Sequence, residues 1–497
     1  MRILVTGGTG VIGEGAIPEL IARGHQIRLF SRHAEEDSRQ WPGTEATTGS
    51  VTDAESLRGV AGECDAVLHI AGIAQEDPPD ITFTAVNVEG TRWVIEEAQR
   101  AGAHRFIYVS SLGADVGESD YHRSKREAEE LVRASGLRWT IVRPGNVYGP
   151  GDEVISTILK MVRTLPAVPV IDGGEQEFQP VWHEDLAKIL AATIERDDLD
   201  GKTLEAVGPD TTTTNDLLTR FGRITGREPA RIPVPMALAQ LATSLSSIIE
   251  LPIDDNKLTM LKEENLLRGK DASTVLGIMT TPLDVGLEAL AEAIPEAVPE
   301  EGFGSLEHKH FHADISGSRH SPATLMSLFK ERVTDVMPIE FAAEPDAPTR
   351  VEKGATMTAA LPMRGHVQIR VVIAEPSRVV FATIEGHPLS GIVEFTTTET
   401  TAGVRFAVDT YTRASNVFDW FALKTVGALA QTKNWQTVVQ RMIEASGGTS
   451  DGVHYERQTL SDDEAESVER RVRSMVDARK QEETAEATAS ERADQAR

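Results

Sequence analysis

Four glycines near the start most constrain how this chain can fold. The sequence opens MRILVTGGTGVIG, in which a short apolar run, Ile3–Thr6, is followed at once by Gly7, Gly8, Gly10 and Gly13. This spacing satisfies both GxGxxG and GxxGxxG, after a strand pattern and at the opening of a helix pattern. Glycine is required where a turn is tight and where backbone must approach a pyrophosphate, which the N–H groups of a helix N-terminus bind. We therefore expect a dinucleotide-binding turn within a βαβ unit.

The first 150 residues alternate short apolar runs with amphipathic segments. The apolar runs predict strands, and the segments between them have helical spacing. The predicted strands are Ile3–Thr6, Gln26–Phe30, Ala66–Ile70, Arg105–Ser110 and Trp139–Arg143, and the predicted helices are Ile17–Arg23, Asn87–Ala101 and Tyr121–Ala134. Strands that alternate with helices imply an α/β fold with a doubly wound parallel sheet.

The pattern changes after a stretch rich in Pro and Glu, 294–304, which predicts a linker. From 305 to 447, β-rich runs at hairpin spacing precede a long helical segment, which predicts a separate α+β domain. The last residues, 448–497, predict a charged helical tail, which is rich in Glu, Arg and Ala from about Ser461. A thin apolar stripe within it is compatible with a solvated helix or tail, and it consists of Val468, Val472, Met475 and Val476. We therefore expect a first domain over 1–300, in which 151–300 mostly covers a substrate, followed by 305–447 and 448–497.

Composition excludes several classes of protein. The chain has 497 residues and a formal net charge of −27, which disfavours nucleic acid and anionic lipid as partners. A single cysteine, Cys64, excludes a disulfide framework and a multi-cysteine zinc site. Since no apolar run is long enough to span a membrane and no signal-peptide pattern is present, we expect a cytoplasmic protein without a transmembrane segment.

The end of the second predicted strand bears on the choice of dinucleotide. An acid at this position binds the ribose 2′-hydroxyl, whereas an arginine accommodates a 2′-phosphate. Ser31 and Arg32 occupy the position here, which favours NADP(H) over NAD(H). Glu35 and Glu36 follow closely, so NAD(H) stays open as the alternative.

Tyr121 and Lys125 are four residues apart in a helical segment, so their side chains share one face of the helix. A tyrosine is a weak base at neutral pH, and a lysine ammonium beside it favours the phenolate. The pair is therefore a candidate for proton transfer. The alternative for a bare YxxxK pattern is an ordinary pair on a helix surface.

Further motifs follow the glycine turn in a fixed order. They are HIAGIA (69–74), VNVEGT (86–91), YVSSLGA (108–114), YHRSK (121–125) and RPGNVYGPGD (143–152). Together with the glycine turn, this set resembles the extended or atypical short-chain dehydrogenases/reductases of the NAD-dependent epimerase/dehydratase type. The chain is most similar to the group related to the NADPH-binding accessory subunit of respiratory complex I, and the resemblance covers about 1–300.

The resemblance implies a Rossmann domain in which Tyr121 exchanges a proton with the substrate while hydride moves to or from the nicotinamide, and Lys125 holds the nicotinamide ribose. It places Ser110 or Ser111 at the substrate oxygen. The implied cofactor-binding residues are Thr6, Gly7, Gly8, Gly10, Val11, Ile12, Gly13, Ser31, Arg32, Ala71, Gly72, Asn87, Tyr121, Lys125, Arg143 and Pro144. It also implies a small substrate, lipophilic or sugar-like, and a homodimer, which is common in the family.

One position departs from the family pattern. Family members generally carry the substrate-polarising hydroxyl where this chain has Leu112, and Ser111 stands only ten residues before Tyr121. The related complex I subunit keeps cofactor binding without established turnover. The resemblance is therefore compatible with an oxidoreductase, epimerase or dehydratase, and alternatively with a non-catalytic NADPH-binding scaffold or sensor.

The region 305–447 resembles START-like, polyketide-cyclase-type helix-grip domains in its order of strands and helix and in the stretch FATIEGHPLSGIVEF. This resemblance implies a small hydrophobic ligand, with candidate cavity walls at Trp420, Phe421 and Trp435, although core packing explains these aromatic residues equally well. Three further side chains would share one face of a strand, namely His308, His310 and His312. Because no Cys or carboxylate partner is evident, we interpret them as surface histidines and expect no metal site.

Overall fold

A computed structural model describes the chain over residues 1–165, 167–236, 259–260, 263, 265–292, 296–338, 340–341, 348–361, 365–401, 403–415, 420 and 428–495. The chain divides into two compact units, Met1–Ala293 and Ile294–Arg497. Each unit has its own buried apolar core. None of the helices in these ranges is long and apolar enough to cross a bilayer.

The first unit is built on apolar strands whose neighbours all run parallel. Its strands are β1 (Arg2–Thr6), β2 (Gln26–Ser31), β3 (Glu45–Thr48), β4 (Ala66–His69), β5 (Arg105–Val109), β6 (Arg138–Pro144), β7 (Val147–Tyr148), β8 (Ala167–Ile171), β9 (Val181–Trp182), β10 (Lys202–Ala206) and β11 (Ala230–Val234). Seven of them form one sheet in the order β10-β6-β5-β4-β1-β2-β3, while β7 pairs with β9 and β8 with β11. The predicted doubly wound parallel sheet is confirmed.

Helices cover both faces of this sheet. They are α1 (Val11–Ala22), α2 (Ala34–Asp37), α3 (Gly90–Ala101), α4 (Asp120–Ala134), α5 (Ile155–Thr164), α6 (His183–Ile194), α7 (Thr214–Thr225), α8 (Ala272–Leu276) and α9 (Leu283–Glu292). Ile3 and Val5 of β1 pack with α1 and α6, whereas Leu4 packs with α3 and α4 on the opposite face. Because side chains alternate along a strand, the run RILVT serves two cores, which is why it reads as continuously apolar.

The sheet order reverses between β1 and β4. From β1 the chain continues outward through β2 and β3, and it then returns to β4 beside β1 and continues through β5 and β6. In an open α/β sheet, the crevice outside the carboxyl ends of the strands at such a switch point is where ligands bind. The glycine turn after β1 and the HIAGIA motif after β4 both lie at this edge.

The second unit is an antiparallel sheet with helices. Its strands are β12 (Phe303–Ile315), β13 (Glu340–Phe341), β14 (Thr356–Leu361), β15 (Gly365–Ala374), β16 (Arg378–Thr383), β17 (Leu389–Thr400), β18 (Gly403–Ala414) and β19 (His454–Thr459), and its helices are α10 (Pro322–Glu331), α11 (Val333–Val336), α12 (Ala428–Ser446) and α13 (Asp462–Gln495). The sheet order is β13-β14-β15-β16-β17-β18-β12-β19. One face packs against α10 and α12 in a core that contains Phe329, Phe395 and Phe406.

The second unit reaches further at both ends than the sequence boundaries predict. Within the stretch expected to be a linker, Glu296 is buried and Ala297 donates its N–H to Thr383 O at 2.8 Å. Beyond residue 447, β19 pairs with β12, and Val472 and Val476 of α13 are buried against the sheet. The thin apolar stripe of the predicted tail is thus a packing face rather than a solvated surface.

Candidate active site

Three glycines of the opening turn are required by packing within the protein. Gly7 has a positive φ of 73°, and a Cβ there would lie 2.5 Å from the backbone nitrogen of Ala71. A Cβ on Gly8 would lie 2.5 Å from the Leu29 side chain, and one on Gly13 would overlap the backbone of Gly8. The turn is therefore pressed against the loop after β4 and against α1, which only glycine permits.

Gly10 is different, because an added Cβ would meet no protein atom within 4 Å. It is the N-cap of α1 and has no side chain with which to cap the helix. Val11 and Ile12 form the first turn of α1 and are half-buried. An uncapped helix N-terminus beside open space fits the phosphate groups of a dinucleotide, because its N–H groups and dipole favour an anion.

The end of β2 carries opposing charges. Arg32 is exposed and forms no ion pair with any residue that the structure describes. The hydroxyl of Ser31 donates to Asp37 Oδ2 at 2.6 Å. Glu35 and Glu36, the acids that the sequence suggested, are both exposed, so Asp37 is the carboxylate that reaches the end of this strand. Asp37 comes close to Ser31 because the chain turns into α2, and the sequence pattern did not predict this turn.

A buried chain of hydrogen bonds connects β1 to Asn87, and sequence reasoning missed it. The Thr6 hydroxyl lies 2.7 Å from His69 Nδ1, and His69 Nε2 lies 3.0 Å from the Thr91 hydroxyl. Thr91 donates its own proton to Asn87 O at 2.7 Å. The Thr91 oxygen must therefore accept from His69 Nε2–H, and Nδ1 accepts from Thr6. Burial lowers the pKa of His69 to about 3, so this histidine is neutral.

Asn87 fixes the loop after β4 against α4. Its Oδ1 accepts from the Ile73 N–H at 2.9 Å, and its Nδ2 donates to Ile73 O at 3.0 Å and to the Ser124 hydroxyl at 2.9 Å. A Cβ on Gly72 would lie 3.2 Å from both Asn87 Oδ1 and Lys125 Nζ. The loop that contacts the glycine turn through Ala71 therefore also meets the lysine of α4.

Tyr121 and Ser111 meet through their hydroxyl groups. Ser111 follows β5 by two residues and is buried, and its hydroxyl donates to Leu112 O at 3.3 Å. Ser111 also forms a hydrogen bond with the phenol of Tyr121, near the start of α4. Burial raises the pKa of Tyr121, as does the Glu153 carboxylate, while the Ser111 hydrogen bond lowers it. The short interval between these two residues is therefore long enough to bring them together.

Lys125 is buried with its ammonium against the sheet. Nζ donates to Val109 O at 3.0 Å and lies 4.9 Å from the ring centroid of Tyr108. Burial lowers the pKa of Lys125 to about 8, against the opposing charge of Glu129. That the Lys125 ammonium favours the phenolate of Tyr121 stays a prediction.

Ser110 and Arg143 lie in a buried ion network rather than beside Tyr121. The Ser110 hydroxyl donates to Glu129 Oε1 at 2.6 Å. Arg143 donates from Nε and Nη2 to the same carboxylate, each at 2.7 Å, and its Nη1 is 2.8 Å from Asp115. The Ser110 hydroxyl is therefore bonded to Glu129 within the protein, and its assignment to the substrate oxygen stays a prediction.

Leu112, which stands where the family pattern has a hydroxyl, is held in place by a backbone hydrogen bond and by burial. Leu112 donates its N–H to Pro144 O at 2.8 Å, and its side chain is buried. Pro144 ends β6, so its role is to hold the segment after β5 in register with β6. Leu112 therefore has a packing role, and the hydroxyl nearest to it in the sequence is that of Ser111.

A carboxylate from later in the chain occupies the N-terminus of α4. Glu263 accepts from the backbone N–H of Ser119 at 2.8 Å, and it also contacts the ring of His122. The ring of His122 lies 5.2 Å from that of Tyr121. Because the helix N-terminus favours an anion, Glu263 stabilises the turn that presents Tyr121. No sequence signal pointed to this residue.

Comparison with known proteins supports the assignment of the first unit. Residues 7–161 match the family described as NAD(P)H-binding, and residues 117–239 match the RmlD substrate binding domain. The chain is 27% identical over 277 residues to the mitochondrial NADH dehydrogenase [ubiquinone] 1 alpha subcomplex subunit 9 of Arabidopsis thaliana, which covers 53% of this chain and 68% of that protein.

Two further relatives are named for reactions. Ceramide reductase of Caulobacter vibrioides is 29% identical over 264 residues, covering 50% of this chain and 80% of that protein. The 3 beta-hydroxysteroid dehydrogenase/Delta 5-->4-isomerase of Mycobacterium tuberculosis is 30% identical over 182 residues, covering 31% of this chain and 49% of that protein, about half its length. The first unit is thus similar to NAD(P)H-binding proteins, and its relatives include a subunit of complex I and two proteins named for a reductase and a dehydrogenase reaction.

Proposed function

We propose that this chain is an NAD(P)(H)-dependent oxidoreductase that interconverts a carbonyl and an alcohol on a small lipophilic substrate. The observation that carries the proposal is the hydrogen-bonded pair of hydroxyls, Ser111 and Tyr121, one helical turn from the buried Lys125. The names of two relatives, a ceramide reductase and a hydroxysteroid dehydrogenase, support a lipophilic substrate over a sugar.

The positions of the side chains support the following roles. The nicotinamide would supply or accept the hydride. Ser111 would donate a hydrogen bond to the substrate oxygen, and Tyr121 would give that oxygen a proton in reduction or take it in oxidation. Lys125 would hold the nicotinamide ribose, and Asn87 would keep the loop with Ala71 and Gly72 in place.

The cofactor would bind at the edge of the sheet where β1 and β4 end. Its pyrophosphate would occupy the space at Gly10, and its adenosine ribose would reach the end of β2. The exposed Arg32 favours NADP(H), whereas Asp37, held by Ser31, opposes a 2′-phosphate. We propose NADP(H) as the preferred cofactor, with a preference that Asp37 limits.

A matched pair of serine variants tests the catalytic assignment. We expect purified protein to oxidise NADPH or NADH with a 3-ketosteroid or a long-chain methyl ketone as acceptor. Tyr121→Phe and Ser111→Ala should each lower kcat by about a hundredfold or more, because the proton donor or the polarising hydroxyl is lost. Ser110→Ala should retain turnover, since Ser110 bonds to Glu129. Equal kcat values for Ser111→Ala and Ser110→Ala would contradict the assignment.

One observation favours a second candidate, a non-catalytic NADPH-binding scaffold or sensor. Burial raises the pKa of Tyr121, and the ammonium of Lys125 is bonded to Val109 O rather than to the phenol. The similarity to subunit 9 of complex I points the same way. Tight cofactor binding without turnover of any ketone, unchanged by Tyr121→Phe, would favour the scaffold over the enzyme.

For the second unit, we propose a helix-grip architecture with a small hydrophobic ligand. Its support is the order of elements: the long first strand β12 is followed by α10 and α11, pairs with the last strand before α12, and shares a core face with α12. Trp435 of α12 lies 5.9 Å from the Phe395 ring in this core, and Trp420 lies 5.9 Å from Phe303. Phe421 lies outside the described residues.

A further inference from the structure

A lysine is buried on the face of the second sheet that otherwise forms the apolar core. Lys309 of β12 is 2% exposed, and the next residues on the same face of the strand, Phe311 and Ala313, belong to the core. Its ammonium donates to Gln431 Oε1 of α12 and lies 3.7 Å from Glu307 Oε2. Burial lowers the pKa of Lys309. No step proposed for the first unit uses this group.

Unpartnered polar atoms lie around Lys309. Thr410 is directly opposite it in the β12–β18 register and is 0% exposed, yet its hydroxyl has no hydrogen-bond partner. On α12, Asn434 Oδ1 and Trp435 Nε1 are also buried without a partner. Asn434 and Trp435 follow Gln431 by three and four residues, so they lie on the same face of the helix as the residue that bonds to Lys309.

Such a group of unsatisfied polar atoms requires an explanation. A buried donor or acceptor without a partner costs about 1–3 kcal/mol, so native proteins satisfy nearly all of them. Here Lys309, the Thr410 hydroxyl and the Trp435 indole N–H can all donate. Lys309 lies opposite Thr410 in the sheet and is bonded to Gln431, one helical turn from Trp435, so these donors fit a ligand oxygen that accepts hydrogen bonds.

The charges of the cluster indicate the kind of oxygen. Glu307 is shared by two cations, because Arg457 donates to the carboxylate that also lies near Lys309. Among these three described residues, two positive charges against one negative charge leave a single positive charge in excess. One carboxylate on the ligand would balance it, and charge-assisted hydrogen bonds would make that contact strong.

The apolar part of the ligand would face the aromatic core. The indole N–H of Trp435 is buried without a partner, and the ring of Trp435 meets Phe395 edge to face, with 5.9 Å between centroids. Phe395 is buried against Phe329, with 4.5 Å between ring centroids. The polar atoms of the cluster therefore adjoin the aromatic side chains of the core.

We propose that the inner face of the second unit binds an apolar monocarboxylate, whose carboxylate is received by Lys309, Thr410 and Trp435. The inference rests on the proposed hydrophobic-ligand function of this unit and adds the chemistry of the head group. The competing occupant is water, which would satisfy the Thr410 hydroxyl without recognising a carboxylate.

The test is calorimetric titration of the full chain with hexanoate, decanoate and tetradecanoate, and with decan-1-ol as the uncharged analogue. At least one carboxylate should bind at one site per chain. Lys309→Met should weaken carboxylate binding by about tenfold or more, as expected for loss of a hydrogen bond to a charged group. Decan-1-ol binding should change by less than about twofold, because its hydroxyl does not need the positive charge.

Two further variants keep the result interpretable. Thr410→Val is nearly isosteric and should weaken carboxylate binding several-fold without the loss of a charge. Lys433→Met removes an exposed lysine on the same helix, α12, and should leave binding unchanged. If Lys309→Met lowers the melting temperature so far that it cannot be titrated, Thr410→Val decides the matter.

The outcomes separate the two proposals. If decan-1-ol binds as tightly as decanoate and neither Lys309→Met nor Thr410→Val weakens carboxylate binding, the head-group inference is wrong while the hydrophobic-ligand proposal stands. If no carboxylate and no alcohol binds, both are wrong. If all variants lose decanoate equally, Lys433→Met included, binding is a non-specific charge effect and the assigned residues are wrong.

Discussion

Ser110 and Ser111 are adjacent in the sequence but have different partners. The hydroxyl of Ser110 is bonded to the buried Glu129, and the hydroxyl of Ser111 is bonded to Tyr121. The sequence named both serines as candidates because a strand-end pattern does not show which side chain faces the crevice. The choice depends on Glu129 and Arg143, which meet only after α4 and β6 have packed on β5.

The charge of Lys125 leads to a prediction about pH. Burial lowers the pKa of this lysine to about 8, so its ammonium loses its proton as pH rises through that value. If a charged Lys125 holds the cofactor ribose, kcat/KM for the cofactor should fall above about pH 8. The nearby Glu129 carboxylate raises the pKa of Lys125, so Glu129→Gln should move this fall to lower pH.

The pH profile of kcat/KM checks this prediction, because it reports groups of the free enzyme. A melting temperature for each protein accompanies the profile, since Glu129→Gln also weakens the ion pair with Arg143. A merely structural role for Glu129 would lower stability and leave the alkaline limb where it is. An unshifted limb would contradict the proposed link to Lys125.

At the scale of elements, different glycines of the opening turn are expected to serve packing and ligand binding. Gly13→Ala should destabilise the fold by about 1–3 kcal/mol, because its Cβ would overlap the backbone of Gly8. Gly10→Ala has open space and should cost about 1 kcal/mol or less as an N-cap change. We nevertheless expect Gly10→Ala to weaken cofactor binding by about tenfold, since the methyl group would occupy space assigned to the pyrophosphate.

Chemical denaturation and cofactor titration of the two glycine variants distinguish these effects. We predict that Gly10→Ala changes cofactor affinity while leaving the free energy of unfolding nearly unchanged. Unchanged cofactor affinity in a folded Gly10→Ala protein would show that the space at the N-terminus of α1 is not the phosphate site.

Elements with local signals were predictable from the sequence, and those that depend on distant partners were not. The strand–turn–helix at the N-terminus is specified by its own apolar residues and glycines. Strand β1 lies where the pattern indicates, whereas α1 begins at Val11, directly after the glycine turn, rather than at the predicted Ile17. Asn87, by contrast, lies in a π-helical segment before α3 rather than in an ordinary helix. The exposed strand β19 has no apolar alternation, so only its pairing with β12 defines it.

At the scale of the whole molecule, the chain consists of two units with separate cores. Resemblance to known motifs indicated the nature of the first unit over about 300 residues, but the register of the second could not be derived. In its sheet, β12 pairs with β18 across about a hundred residues of chain, as in His310 opposite Asp409. Pairing at such separation depends on the complete sheet and leaves no local pattern.

The separation of the cores leads to a prediction about truncation. A protein limited to 1–293 should fold, because its core and its sheet are complete within that range. It should bind the dinucleotide with an affinity within about twofold of the full chain, since every residue proposed to contact the cofactor lies within it. Far-UV circular dichroism and the same titration check both statements. A folded but non-binding protein would mean that the second unit contributes to the site.

The most direct test of the central claim is calorimetric titration of the full chain with NADPH and, separately, with NADH. We predict one binding site per chain, with NADPH bound more tightly than NADH and the preference reduced in Arg32→Ala. Tighter binding of NADH would indicate that Asp37, rather than Arg32, determines cofactor choice at the end of β2. If a folded protein binds neither dinucleotide, the glycine turn is not a cofactor site and the proposed oxidoreductase function is wrong.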